Sequence, residues 1–65
     1  NIKLNGKPHE IPQSSTVSDL LESLSLAGKP VVVEHNKAAL FARDYAKTVI
    51  SQDDVLEIIT IAAGG

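Results

Sequence analysis

An α+β fold, with one main helix packed across one face of a mixed sheet, is what this sequence predicts, and three observations predict it. The first strand-like residues run into Asn5-Gly6, the pair that best supplies two φ > 0 residues to a tight hairpin turn. A single stretch carries apolar residues at helical spacing: Val17, Leu20, Leu21 and Leu24 fall at i, i+3, i+4 and i+7. Two runs rich in β-branched residues follow, Val31-Val32-Val33 and Val55 to Ile61. A hairpin, a crossover helix and further strands make a sandwich of two layers.

Each element has its own reasons. Ile2-Lys3-Leu4 alternates apolar and polar residues, and a type I′ turn at Asn5-Gly6 sets Leu4 opposite Lys7, Lys3 opposite Pro8 and Ile2 opposite His9. Ile2, Leu4, His9 and Ile11 then share one face. Pro8 and Pro12 have no N–H to donate, which puts the second strand at a sheet edge. Thr16 is the expected N-cap of the helix, with Asp19 three residues on in the capping-box position. The helix is expected over residues 17–26, ended by Gly28 and kept from resuming by Pro30. Val31–Val33 reads as a strand apolar on both faces, Glu34–Lys37 as a turn, and Ala38–Phe41 as a short strand pairing back. One helical or 3₁₀ turn holding Tyr45 is expected within residues 42–48. Ser51-Gln52-Asp53-Asp54 is a turn by composition, and Val55 to Ile61 is the last and longest strand.

At 65 residues the chain makes one domain near the lower size limit for folding unaided. Without cysteine, a disulfide framework, a thiolate metal site and a cysteine nucleophile are all excluded. Stability therefore rests on 21 Val, Ile, Leu, Phe and Tyr residues. A formal charge of −2 spread along the chain and only two aromatic residues argue against nucleic acid as a partner. No apolar run approaches the ~20 residues that span a bilayer, and no export signal opens the sequence. The composition suits the cytoplasm.

Catalytic signatures are missing: no phosphate-binding G-x-x-x-x-G-K-[ST], no G-x-S-x-G, no H-E-x-x-H. Gly6-Lys7 and Gly28-Lys29 are turn dipeptides. His9 and His35 fall in different elements without ligand spacing. Asp53-Asp54 is expected to be solvated within its turn. The chain is therefore not read as an enzyme, and no bound cofactor is expected.

The C-terminal residues are chemically distinctive. Ala62-Ala63-Gly64-Gly65 reads as a flexible tail on a domain of residues 1–61, and extended it reaches at most about 13–14 Å. Gly64 and Gly65 lack Cβ atoms, so such a thread can enter a narrow active site. Once activated as an acyl-adenylate by a separate ATP-using enzyme, the Gly65 carboxylate becomes open to attack by sulfur. The final strand adds a second feature. Leu56, Ile58 and Thr60 share one face, and Val55, Glu57, Ile59 and Ile61 the other. With one helix to cover the sheet, Leu56 and Ile58 should meet it. Ile59 and Ile61 then form an apolar patch for partner docking beside the tail, unless the sheet curls to bury them.

Thr16-Val17…Leu20-Leu21-Glu22…Leu24, Asn36 after a hydrophobic strand, and Asp54-Val55-Leu56-Glu57-Ile58-Ile59 before Ala63-Gly64-Gly65 together resemble the thiamine-biosynthesis sulfur carriers (ThiS-type), small ubiquitin-like β-grasp proteins. The resemblance spans the whole chain. It implies that Gly65 is adenylated by an E1-like, ThiF-type enzyme and converted to a thiocarboxylate with sulfur from a cysteine desulfurase or other persulfide source. A ThiG-type thiazole synthase then uses that sulfur to build the thiazole of thiamine. On this resemblance Gly65 reacts, while Ala62, Ala63 and Gly64 thread the partner active sites. The chain departs from the family's common pattern at Asp53, often Gly, at Phe41-Ala42-Arg43, often containing Pro-Arg, and at Tyr45, where Trp is frequent nearby. Two other readings stay open: a sulfur carrier for molybdopterin synthesis, of the small-subunit type, and a non-reacting β-grasp interaction module.

Overall fold

In the computed structural model, residues 1–61 are described. Strands β1 (Ile2–Leu4) and β2 (Lys7–His9) are followed by helix α1 (Val17–Ser23), strands β3 (Val31–His35) and β4 (Ala38–Leu40), a 3₁₀ turn (Ala42–Asp44) and strand β5 (Val55–Thr60). The five strands form one sheet in the order β2-β1-β5-β3-β4. Last in sequence, β5 lies at the centre, parallel to β1 and antiparallel to β3. This is the mixed sheet and single helix of an α+β, β-grasp fold.

Asn5 at φ 50° and Gly6 at φ 83° make the left-handed turn of the first hairpin. Its register pairs Ile2 with His9, Lys3 with Pro8 and Leu4 with Lys7, as the turn type requires. Proline-containing β2 is an edge strand. Asn5 does a second job, because its side chain continues the ladder where β1 stops: Oδ1 accepts from Ile58 N–H at 2.8 Å and Nδ2 donates to Ile58 C=O at 3.2 Å. Asn36 mirrors it on the other side of β5. Its backbone N–H donates to Val55 C=O at 2.7 Å and its Oδ1 accepts from Val55 N–H at 2.8 Å. Two turn asparagines thus brace the central strand from both flanks.

The helix begins as its sequence dictates. Thr16 Oγ1 accepts from Asp19 N–H, and Asp19 Oδ2 accepts from Thr16 N–H, the reciprocal capping box. Residues 45–50 run across this end, and the carbonyls of Thr48 and Tyr45 accept from Val17 and Ser18 N–H. Every N–H of the first turn is therefore occupied, so this helix start offers nothing to an anion.

The helix ends earlier than its periodicity suggests. Leu24 is the C-cap, not Leu26 or beyond, because Ser25 takes the left-handed conformation at φ 61°. Leu26 N–H donates to Leu21 C=O and Ser25 N–H to Glu22 C=O, the two bonds of a Schellman closure. Serine here occupies the position where glycine is usual. Gly28, at φ 78°, serves the turn that follows rather than the helix end.

A second correction concerns residues 34–37. Glu34 and His35 belong to β3, and the turn is Asn36-Lys37 alone, with φ of 50° and 72°. β5 ends at Thr60, although Ile61 N–H still donates to Pro30 C=O at 3.1 Å. The core is Ile2, Val17, Leu20, Leu21, Val33, Ile50, Leu56 and Ile58, with Leu4, Leu24, Leu26, Leu40 and Tyr45 packed partly buried around it. The helix's buried side chains, Val17, Leu20 and Leu21, share this core with Leu56 and Ile58 of β5.

Candidate functional site

Since α1 covers one face of the sheet, the other is left to solvent, and period-two alternation decides what it displays. On β5 the outward residues are Val55, Glu57, Ile59 and Ile61; Ile59 is 55% exposed and Ile61 51%. The sheet does not curl to bury them. Val32 of β3 is directly opposite Ile59 and 40% exposed. Because Val33 pairs with Leu40, the extended Phe41 that follows comes to the position beside Val32. It is 65% exposed, with the Arg43 guanidinium stacked 4.8 Å from its ring centre.

The predicted patch of Ile59 and Ile61 is therefore wider than two residues. Val32 and Phe41 belong to it, and the sequence held a signal for one of them. Val31-Val32-Val33 is apolar on both faces, so one side chain of the run had to point away from the core. Phe41 was hidden, because its facing depends on where the β3–β4 turn falls. Gly65, expected to react, and Ala62, Ala63 and Gly64, expected to thread partner sites, lie outside the described residues, as does the expectation of a flexible tail.

At the opposite end of β5 a polar knot holds the strand's start. Asp54 Oδ2 accepts from His35 Nε2 at 2.7 Å and from Ser51 N–H at 2.8 Å, and its Oδ1 accepts from Asn36 Nδ2 at 3.2 Å. An ionised carboxylate only accepts, so His35 carries its proton on Nε2. Burial pushes the Asp54 carboxyl upward. The hydrogen bonds from His35, Ser51 and Asn36 and the His35 charge outweigh it, holding Asp54 below its ordinary value of 3.8. Asp54 was expected to be solvated in its turn; instead its side chain is only 14% exposed. The reason is the His35 ring, brought alongside by β3–β5 pairing. Asp53, exposed at φ 68°, is the solvated one of the two. His35 and Asp54 are occupied with each other, and no third ligand joins them among the described residues.

A surface depression between the start of β1 and residues 49–52 is lined among the described residues by Ile2, Ile11, Pro12, Val49, Ile50 and neutral polar neighbours. It presents no acidic, basic or thiol side chain with which to move a proton. No helix among the described residues is long and apolar enough to cross a membrane.

The chain is similar in sequence and fold to known proteins. The ThiS family profile matches residues 2–65. The sulfur carrier protein ThiS of Bacillus subtilis is 35% identical over 65 residues, with 98% of each chain covered. A thiazole synthase of Magnetococcus marinus is 38% identical over 64 residues, which is 98% of this chain but only 20% of that protein; the chain spans a fifth of that relative's length. The crystal structure of a thiamine biosynthesis protein (ThiS) from Geobacter metallireducens superposes with a TM-score of 0.84 at 31% identity, covering 100% of this chain and 99% of the other. An α+β, ubiquitin-like domain with one bare sheet face defines the class of protein. The chain belongs to the ThiS family.

Proposed function

We propose that this chain carries sulfur on the carboxyl group of Gly65, delivering it for the thiazole ring of thiamine, and that it does so as a substrate of other enzymes rather than as a catalyst. One observation carries the reading: the ThiS profile runs through residue 65, and so takes in the glycine pair together with the domain that precedes it. An E1-like, ThiF-type enzyme supplies the activation. A Gly65 carboxylate oxygen attacks the α-phosphorus of ATP and pyrophosphate leaves. A sulfur nucleophile then adds to the acyl-adenylate carbonyl, and AMP departs. With hydrosulfide as that nucleophile the product is the thiocarboxylate directly. With a persulfide from a cysteine desulfurase or other source the product is an acyl disulfide, and a second thiol must attack its outer sulfur, ending as the disulfide, to release the thiocarboxylate. ATP is held by the adenylating enzyme, and the carrier itself needs no bound cofactor.

The partner that spends the sulfur is a ThiG-type thiazole synthase. Support comes from the Magnetococcus marinus thiazole synthase, which contains a segment resembling this chain within its own length. Ala62, Ala63 and Gly64 thread the partner active sites, while Ile59 and Ile61 dock the domain outside them. A cytoplasmic setting suits both ATP and a persulfide donor. Incubation with a ThiF-type enzyme, ATP and sulfide, read by intact mass, tests the proposal. Exchange of one oxygen for sulfur, localised to Gly65 by fragmentation, is the expected result. A chain that stays unmodified while a known carrier in the same mixture is charged would overturn it.

A further inference from the structure

Glu34 of β3 and Glu57 of β5 are cross-strand partners on the bare face. They are two residues along each strand from the Val32–Ile59 pair, with Ala39 of β4 beside Glu34. Like charges directly opposite one another in a sheet repel. No lysine or arginine comes within salt-bridge distance of either carboxylate among the described residues. Arg43, at the end of the apolar row, stacks on Phe41 instead. Lys3, on the same face, is paired with Val55 on the far side of β5. The free domain therefore keeps two facing, unneutralised glutamates against an apolar row of Phe41, Val32, Ile59 and Ile61, all exposed.

We infer that this face receives an apolar protein surface bearing an arginine or lysine, which inserts between Glu34 and Glu57, and that the occupant is the thiazole-synthase-type partner. The inference rests on the carrier reading above. Two facing carboxylates suit the planar fork of a guanidinium, or a lysine ammonium, better than any neutral group. The apolar row supplies the contact area, and the glutamates supply register and discrimination. Residues 62–65 continue from Ile61, at the edge of this patch. A partner seated here thus has Gly65 within about 13–14 Å of its contact surface. A second copy of the chain is the poorer occupant, because self-pairing would bring four carboxylates onto one interface.

The experiment is calorimetric titration of the full chain into the thiazole synthase of the same organism, at low and high salt. Glu57→Gln is the central variant, since Glu57 is exposed and the change keeps its shape. It should weaken binding about fivefold and flatten the salt dependence, while the thermal midpoint stays level or rises as the repulsion is relieved. Glu57→Lys should weaken binding by about a hundredfold, and Ile59→Ala by roughly tenfold. Unchanged affinity in Glu57→Gln and Glu57→Lys would overturn the cation-between-glutamates inference and leave the carrier reading standing. A wild-type chain that is charged with sulfur on Gly65 but shows no binding to the synthase would overturn the choice of occupant. Failure of charging with a competent adenylating enzyme is the separate result that removes the carrier reading itself. Concentration-dependent dimerisation abolished by Ile59→Ala would overturn the inference in favour of a second copy.

Discussion

Asp54 concentrates much of the specificity of its end of the molecule. It ties the β3–β4 hairpin, through His35 and Asn36, to the turn at Ser51 that launches β5. Its pH behaviour follows from the sign of its shift. The folded carboxyl is held below 3.8, so the unfolded chain binds the proton first as pH falls. The stability that Asp54 contributes is complete above that unfolded value and is lost as pH drops through the lower, folded one. Urea unfolding at pH 5 and pH 3 should show wild type losing more stability on acidification than Asp54→Asn. At pH 5 the variant should be weaker by about 1–2 kcal/mol, a charge-assisted hydrogen bond discounted for partial exposure. Equal acid sensitivity of the two proteins would show that the carboxylate is not what holds this junction.

At the scale of elements, the helix and the strand beneath it carry the fold. Leu20 and Leu56, at 1% and 0% exposure, are among the largest side chains sealed between α1 and β5. Leu20→Ala should cost about 2–5 kcal/mol, measured by denaturant unfolding, a large share of the 5–15 kcal/mol typical of whole domains; an unchanged midpoint would contradict the packing. The helix end makes a finer test. Ser25 is left-handed at φ 61°, a conformation that L-residues adopt at a penalty of roughly 1–2 kcal/mol and glycine does not. Ser25→Gly should therefore stabilise the fold by about 0.5–1 kcal/mol once glycine's extra unfolded-state freedom is deducted. A loss of stability would mean that the Ser25 side chain contributes something the Schellman closure does not. Ser25 also shows why this boundary could not be read from sequence. Gly28 advertised a helix end and serine did not. The same holds at Asn36-Lys37, a turn of the type that Asn5-Gly6 makes but without the glycine that announced the first hairpin. Where turn chemistry was standard, at Asn5-Gly6 and at the Thr16–Asp19 cap, the sequence led directly to register and start. Of the candidate site, Ile59 and Ile61 were legible because strand alternation and a single helix leave no other cover. Phe41 depended on where the β3–β4 turn falls, while Glu34 and the Asp54 knot depended on β3–β5 pairing, which links residues about twenty positions apart or more and leaves no local mark.

For the whole molecule, the decisive property is the separation of what folds from what reacts. The last core residue is Ile58, so the proposed chemistry at Gly65 lies seven residues beyond the last side chain that stability requires. Changes in the tail should leave the unfolding midpoint where it is, which makes tail variants clean probes of function. Two of them separate reach from width. Deleting Gly65 shortens the thread by about 3.5 Å, placing the new carboxylate out of register with an ATP α-phosphate that must be met within a fraction of an ångström for proximity to accelerate the reaction. Gly64→Val keeps the length but adds a β-branched side chain where a groove shaped for bare backbone should be narrowest, and narrows the conformations the thread can adopt. Both proteins should melt as wild type does and fail to release pyrophosphate in the presence of the adenylating enzyme and ATP. They should differ in binding: the shortened chain retains docking through Ile59 and Ile61, whereas the valine variant loses affinity because the thread cannot enter. Charging of the Gly65-deleted chain at the wild-type rate would show that the terminal glycine is not the sulfur-bearing residue, whereas a wild-type chain left uncharged by a competent adenylating enzyme would replace the carrier reading with that of a non-reacting docking module.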